Sequence, residues 1–311
     1  MNKDLILFEE ARKSKVLLNG VLSTVISFLM IIIGQLIGGI LLAIVGASLV
    51  GMENLMEFVN GILGKLLSFV FPMLTCFLWV KVIEKRKISS LGLRRDRFFT
   101  KFMKGFGIGI LMFSLVTFMM YIFGVITLKQ GISIGIKSIS TILILIPGWI
   151  IQSSTEEIIS RGWLMHVIGA KHKPIVGFIV SSVSFGLLHI FNPGVDILSI
   201  LNIILVGFMF GLYVIYTQDI WGACGIHAAW NFSQGNIFGF SVSGLETNSA
   251  SLLKFSTHGS NILTGGKFGP EASIFSTVVL SIAIIILLFK LKKQGIYYKK
   301  SISVNKEDLG K

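Results

Sequence analysis

The sequence predicts an all-α, polytopic membrane protein of about eight transmembrane helices, with its functional site inside the helix bundle. Three observations predict this. Of 311 residues, 53% are hydrophobic and only 14% charged, whereas a soluble domain carries about 25% charged residues; mean hydropathy is +0.82. Apolar runs of the roughly 20 residues needed to cross a bilayer recur along nearly the whole chain. Lys and Arg gather in alternate connections between those runs. The chain divides into an N-terminal tail (1–19), a membrane domain (20–291) and a basic C-terminal tail (292–311). No soluble catalytic domain is left over.

Taken in order, the first run covers 20–50, long enough to tilt. The preceding MNKDLILFEEARKSK is too polar for a signal peptide and the run is too long for a cleavable one, so it stays as an anchor. The second run, 61–83, contains Pro72 and Lys65; the lysine snorkels or lines a cavity edge. The basic stretch EKRKISSLGLRRDRFFTKFMK follows, and its SSLGLRRDRFFTKF part reads as an amphipathic segment on the inner membrane surface or as a solvated linker. Further runs cover 104–128, 139–165 with Pro147, 174–190 with Pro174 at a helix start, 197–217, 219–239 and 272–291. The fifth and seventh are the least hydrophobic. Gly34 with Gly38, and Gly207 with Gly211, read as places of close helix approach. The segment 240–271, rich in Ser, Gly, Asn and Thr, reads as an exposed outer loop.

The N-terminal tail, the stretch after the second helix, AKHK before the fifth and KLKKQGIYYKK after the eighth are all basic; GMENLMEFVN and FNPGVD carry no Lys or Arg. Eight spans put the basic segments on one side, which the positive-inside rule makes the cytoplasm, with both termini there. The net charge of +13 is accordingly read as orienting the helices and meeting lipid head groups, with no nucleic-acid partner. Cys76 and Cys224 sit inside apolar runs, without CxxC spacing or a paired framework, and imply neither a disulfide nor a thiolate metal site. Trp163, Trp221, Tyr297 and Tyr298 read as interface aromatics, His166 and His172 as interfacial, and His258 as an outer-loop residue.

The fourth helix contains STEEIISRG, three ionisable groups within six residues. A charged group at mid-bilayer costs about 2.5–3.5 kcal/mol on insertion scales, so such groups face the bundle interior or a wet cavity. Glu157 and Arg161 are four apart with the acid first, the favourable order for a helical ion pair. Glu156 lies about 100° around the helix and has no local partner. SSVSFGLLHIFNPG places His189 four residues after Phe185, and WGACGIHAAWNFSQG places His227 and Asn231 on one helical face. One Glu, two His and one Asn on three helices point to convergence on one site. Gln152 and Asn202 either touch it or bond between helices.

EEIISR, FGLLH and HAAWN match EExxxR, FxxxH and HxxxN in order, and the chain resembles the CPBP family of intramembrane proteases (CAAX protease or Abi proteins), related to the type II CAAX prenyl endopeptidases, over about 140–239. The family includes members implicated in bacteriocin immunity and signalling-protein processing. The resemblance implies that Glu156 activates a water with help from His189, that His227 and Asn231 stabilise the oxyanion, and that Glu157, Arg161 and Phe185 support the site. A carboxylate in a partly dry pocket makes a competent base, and preplaced donors act strongly where water is scarce. No cofactor is favoured. Zinc held by Glu156, His189 and His227 is the alternative, against which stand the missing HExxH and the lack of a carboxylate to orient the histidines.

The expected activity is intramembrane endopeptidase cleavage of a membrane-associated peptide or protein. The rivals are a non-catalytic immunity or signalling scaffold, and a proton-coupled transporter. The expected topology sets His189 about 22 Å into the fifth helix and His227 about 12 Å into the seventh. A shared site therefore requires a displaced fifth helix; residues 162–173 are expected to extend into the cytoplasm, with the site opening to that face.

Overall fold

A computed structural model describes residues 5–50, 61–129, 136–247 and 249–295. GMENLMEFVN (51–60), the first four residues and the tail 296–311, with Tyr297 and Tyr298, lie outside the described residues. A chain surrounded by lipid must satisfy its backbone polar groups internally, and the described residues are mostly helical. The helices are α1 (Ile6–Arg12), α2 (Gly20–Val50), α3 (Ile62–Ser68), α4 (Val70–Leu78), α5 (Phe98–Ile122), α6 (Ile136–Glu157), α7 (Met165–Lys171), α8 (Pro174–Leu187), α9 (Ile197–Thr217), α10 (Trp221–Phe232), α11 (Asn261–Thr264) and α12 (Ile274–Lys293). Wider π turns continue α4 to Ile83, join α6 to α7 and extend α10 to Ile237.

Among the described residues, six helical stretches are long and apolar enough to cross a membrane: 20–48, 62–83, 98–122, 138–171, 197–217 and 274–293. The protein is a polytopic membrane protein. The fifth and seventh expected runs form the shorter α8, of 14 residues, and α10, of 12. At 1.5 Å per residue α8 is about 21 Å long, short of the ~30 Å hydrocarbon core.

Glycine sets the tightest packing. A Cβ on Gly34 would come within 2.4 Å of the Pro72 backbone, and one on Gly207 within 2.9 Å of Ser182, as the small-residue pairs suggested. A further close seam, between α5 and α10, has no counterpart among those pairs: a Cβ on Gly105 would lie 2.1 Å from the Gly222 carbonyl oxygen, and one on Gly225 would lie 2.2 Å from that of Phe102.

Several expectations need correction. The third run is helical from Phe98 to Ile122, not 104–128; Gly124 at φ +69° follows its end. Ile126–Leu128 instead pairs antiparallel with Phe255–Thr257, Ile126 opposite Thr257. The 240–271 segment is not simply exposed, since Phe240, Val242, Phe268 and Glu271 are buried. Trp163 and His166 are buried rather than interfacial, because α1 covers α7: the Phe8 ring meets His166 edge-on at 4.7 Å, and Trp163 Nε1 donates to Glu84 Oε1 at 2.8 Å. Within SSLGLRRDRFFTKF, Ser90, Leu91 and Gly92 are buried while residues 95–100 are exposed.

The depth conflict between His189 and His227 is resolved by displacement of α8. Gly177 of α8 packs against Met165 and Gly169, at the far end of the 34-residue stretch 138–171. Glu156 lies 9 to 13 residues back from that level and His189 lies 12 residues on from Gly177. Two antiparallel segments of similar rise therefore bring both side chains to one height.

Candidate active site within the helix bundle

Glu156 and Glu157 are the last residues of α6, just before the π turn Ile158–Leu164. Such wide turns occur often at functional sites. The two carboxylates diverge as the helical period requires. Glu157 is fully buried, and its Oε1 accepts from Arg161 Nη1 at 3.0 Å and faces His227 Nδ1 at 3.0 Å. The i,i+4 ion pair is present, but the same oxygen also orients the histidine. The sequence-based view that no carboxylate is available to orient a histidine is overturned: Glu157 does it, although Arg161 had seemed to be its whole complement.

Glu156 is the less buried of the pair. Its Oε1 accepts from Gln152 Nε2 at 2.6 Å, while Oε2 lies 3.8 Å from His227 Nε2 and has no hydrogen-bond partner among the described residues. Gln152 is fixed in turn, its Oε1 accepting from Asn231 Nδ2 at 3.0 Å and from Ser153 Oγ at 3.0 Å. Asn231 Nδ2 also reaches Ser153 Oγ at 3.3 Å. His189, in the turn after α8, places Nδ1 2.9 Å from the Phe185 carbonyl oxygen. That nitrogen must carry the proton to donate there, which leaves Nε2 as the acceptor.

Glu156, His189, His227 and Asn231 all line one cavity of about 210 Å³, whose walls are otherwise largely apolar, with Trp149, Phe69 and Val242 among them. Glu157, Arg161 and Phe185 stand behind it. Phe185 packs edge-on to His189 at 5.0 Å, and the Arg161 guanidinium lies 4.1 Å above its ring. Phe210, which no sequence motif marks, stacks on His227 at 5.2 Å. Lys65 lines the cavity, as one of its two expected roles had it. Asn202 does not line it; its amide donates to the backbone of Glu271 and Ser273. The lining is drawn from α2, α3, α6, α10, the turn after α8 and residues 242–245. It therefore includes residues of the connections 188–196 and 240–271.

A second, smaller chamber of about 20 Å³ adjoins His189, His227, Asn231, Ser243 and Glu271. Glu271 lies in the turn before α12, where burial pushes its carboxyl up to about 7 against the opposing hydrogen bonds from Ser243 and Gln234. Sequence alone gave it no signal beyond being an acid in a polar loop. Glu156, His189 and His227 do not form a coordination set: among the described residues no group of three or more His, Cys, Asp or Glu side chains is placed to hold a metal ion.

Residues 138–233 match the family model described as type II CAAX prenyl endopeptidase Rce1-like, and they are a domain of that kind. The matched stretch is about a third of the chain and contains Glu156, Glu157, Arg161, Phe185, His189, His227 and Asn231. A search of curated proteins found no match. The family indicates a CAAX-type intramembrane protease acting on a peptide or protein.

Proposed function

We propose that the protein is an intramembrane endopeptidase that hydrolyses a peptide bond in a membrane-associated peptide or protein, with Glu156 as the base. The observation that carries this is the pair of unequal oxygens on Glu156, a residue that lines the cavity: Oε1 is held by Gln152, while Oε2 has no hydrogen-bond partner among the described residues and lies 3.8 Å from His227 Nε2. In this reading Oε2 takes a proton from a water molecule positioned with the help of His189 Nε2. The water oxygen attacks the scissile carbonyl carbon, and the proton passes from Glu156 to the departing amine as the C–N bond breaks. The tetrahedral oxyanion is met by His227 Nε2–H and by Asn231. Asn231 Nδ2 donates to Gln152 Oε1 at 3.0 Å and to Ser153 Oγ at 3.3 Å, and the longer bond is the one exchanged for the oxyanion. Glu157, Arg161 and Phe185 hold His227 and His189 in place.

The same reading has an eight-segment bundle in the cell membrane, with both termini cytoplasmic and α8 and α10 as the short fifth and seventh segments. The test compares membrane proteomes and released peptides from cells carrying the parent or Glu156→Gln. A fragment made only by the parent is expected. Identical peptide sets with an intact cellular phenotype would favour the scaffold, and loss of solute uptake into proteoliposomes would favour the transporter. Activity lost to a chelator and restored by zinc would replace the metal-free chemistry.

A further inference from the structure

One buried carboxylate beside the cavity takes no part in that chemistry. Glu271 is 4% exposed, and its Oε1 accepts the backbone N–H of Ser243. Ser243 and Gly244 are the tip of a tight hairpin: Val242 and Leu245 exchange both backbone hydrogen bonds, at 3.0 and 2.8 Å. The two tip residues have φ of +49° and +81°, the left-handed pair that a two-residue turn of this kind requires. Serine is strained there, and the Glu271 carboxyl oxygen, an acceptor in either protonation state, holds its N–H in place.

The tip is pressed onto the turn that carries His189. Asn192 Nδ2 donates to the Ser243 carbonyl oxygen at 2.9 Å, and the Asn192 backbone N–H donates to the His189 carbonyl oxygen at 3.0 Å. Gly244 N–H donates to the Phe268 carbonyl oxygen at 2.9 Å, and a Cβ on Gly244 would sit 2.1 Å from the Pro193 carbonyl oxygen. We infer that Glu271 is a positioning residue which, through Ser243–Gly244 and Asn192, fixes His189 against the cavity. The outer segment 240–271 is thereby a working part of the site. This rests on the endopeptidase reading above.

The test uses the full-length protein in liposomes and an internally quenched peptide with apolar residues on both sides of its central bond. Glu271→Ala is expected to lower kcat on the order of 10²-fold, the scale of a misplaced catalytic group, with KM little changed. Glu271→Gln, which keeps an acceptor for Ser243, should restore most of the loss. Gly244→Ala leaves Glu271 intact and should reproduce the defect, which covers the case in which Glu271→Ala does not fold. In an Asn192→Ala background Glu271→Ala should add little. Losses that multiply in the double variant, or a lower melting temperature with kcat per folded molecule unchanged, would overturn the inference. Glu156→Gln run in parallel separates the two readings: cleavage at the parental rate removes the endopeptidase, whereas an inactive Glu156→Gln with an unaffected Glu271 series removes only this inference.

Discussion

Glu84 and Glu156 are both acids inside an apolar bundle, and their surroundings differ in one respect. Glu84 accepts from Arg86 Nε at 2.7 Å on one oxygen and from Trp163 Nε1 at 2.8 Å and Trp79 Nε1 at 3.2 Å on the other. Glu156, which lines a cavity, has one oxygen held and the other without a hydrogen-bond partner among the described residues. A carboxylate saturated by donors is a fastening; one left half-satisfied beside histidines retains a lone pair for chemistry. The Glu84 side chain is 1% exposed and that of Glu156 13%, and it is the donors around each that set them apart.

The largest effect expected from this contrast is at Glu156. Glu156→Gln should cut turnover by about 10²–10⁴-fold, the usual share of a general base, without lowering the melting temperature; cleavage at the parental rate would break the contrast outright. Arg86→Ala should behave oppositely. It strands the Glu84 charge at a cost of about 3–5 kcal/mol, seen in thermal melting in detergent, while turnover per folded molecule persists.

Glu271 lies between these extremes. Its carboxyl, ordinarily at 4.5, is raised by burial to about 7, so between those values the folded state holds a proton that the unfolded state has lost. Stability should therefore fall as pH rises through that window, and the slope should flatten in Glu271→Gln; parallel melting curves against pH for the two would count against it. The smallest effect expected is from Trp163→Phe, which removes one of three donors to Glu84 and should cost about 1.5 kcal/mol, the low end for a hydrogen bond to a charge. A loss as large as that from Arg86→Ala would mean that Glu84 is less well satisfied than its contacts indicate.

Much of the site was legible because its signals are local. Glu157 and Arg161 pair within one helical turn, Phe185 meets His189 at the same spacing, and His227 and Asn231 share one face of α10. The parts that were not legible depend on long separations. Gly105 and Gly222 meet across more than a hundred residues, and Ile126–Leu128 finds its partner strand only at Phe255–Thr257. Trp163 and His166 looked interfacial because nothing in their own helix shows that α1 will cover α7. Glu157 seemed complete with Arg161 because a sequence does not show that one oxygen serves two partners. The shortness of α8 is not written in its composition, which is more apolar than that of α5 or α6, and the level at which it packs depends on Gly177 meeting α7.

The glycine seam between α5 and α10 also governs traffic. Where two backbones touch, neither an acyl chain nor a peptide can slip between them, so that flank is a sealed wall. The cavity is bordered elsewhere, by Ile62 and Lys65 of α3 and by Asn192 of the turn after α8.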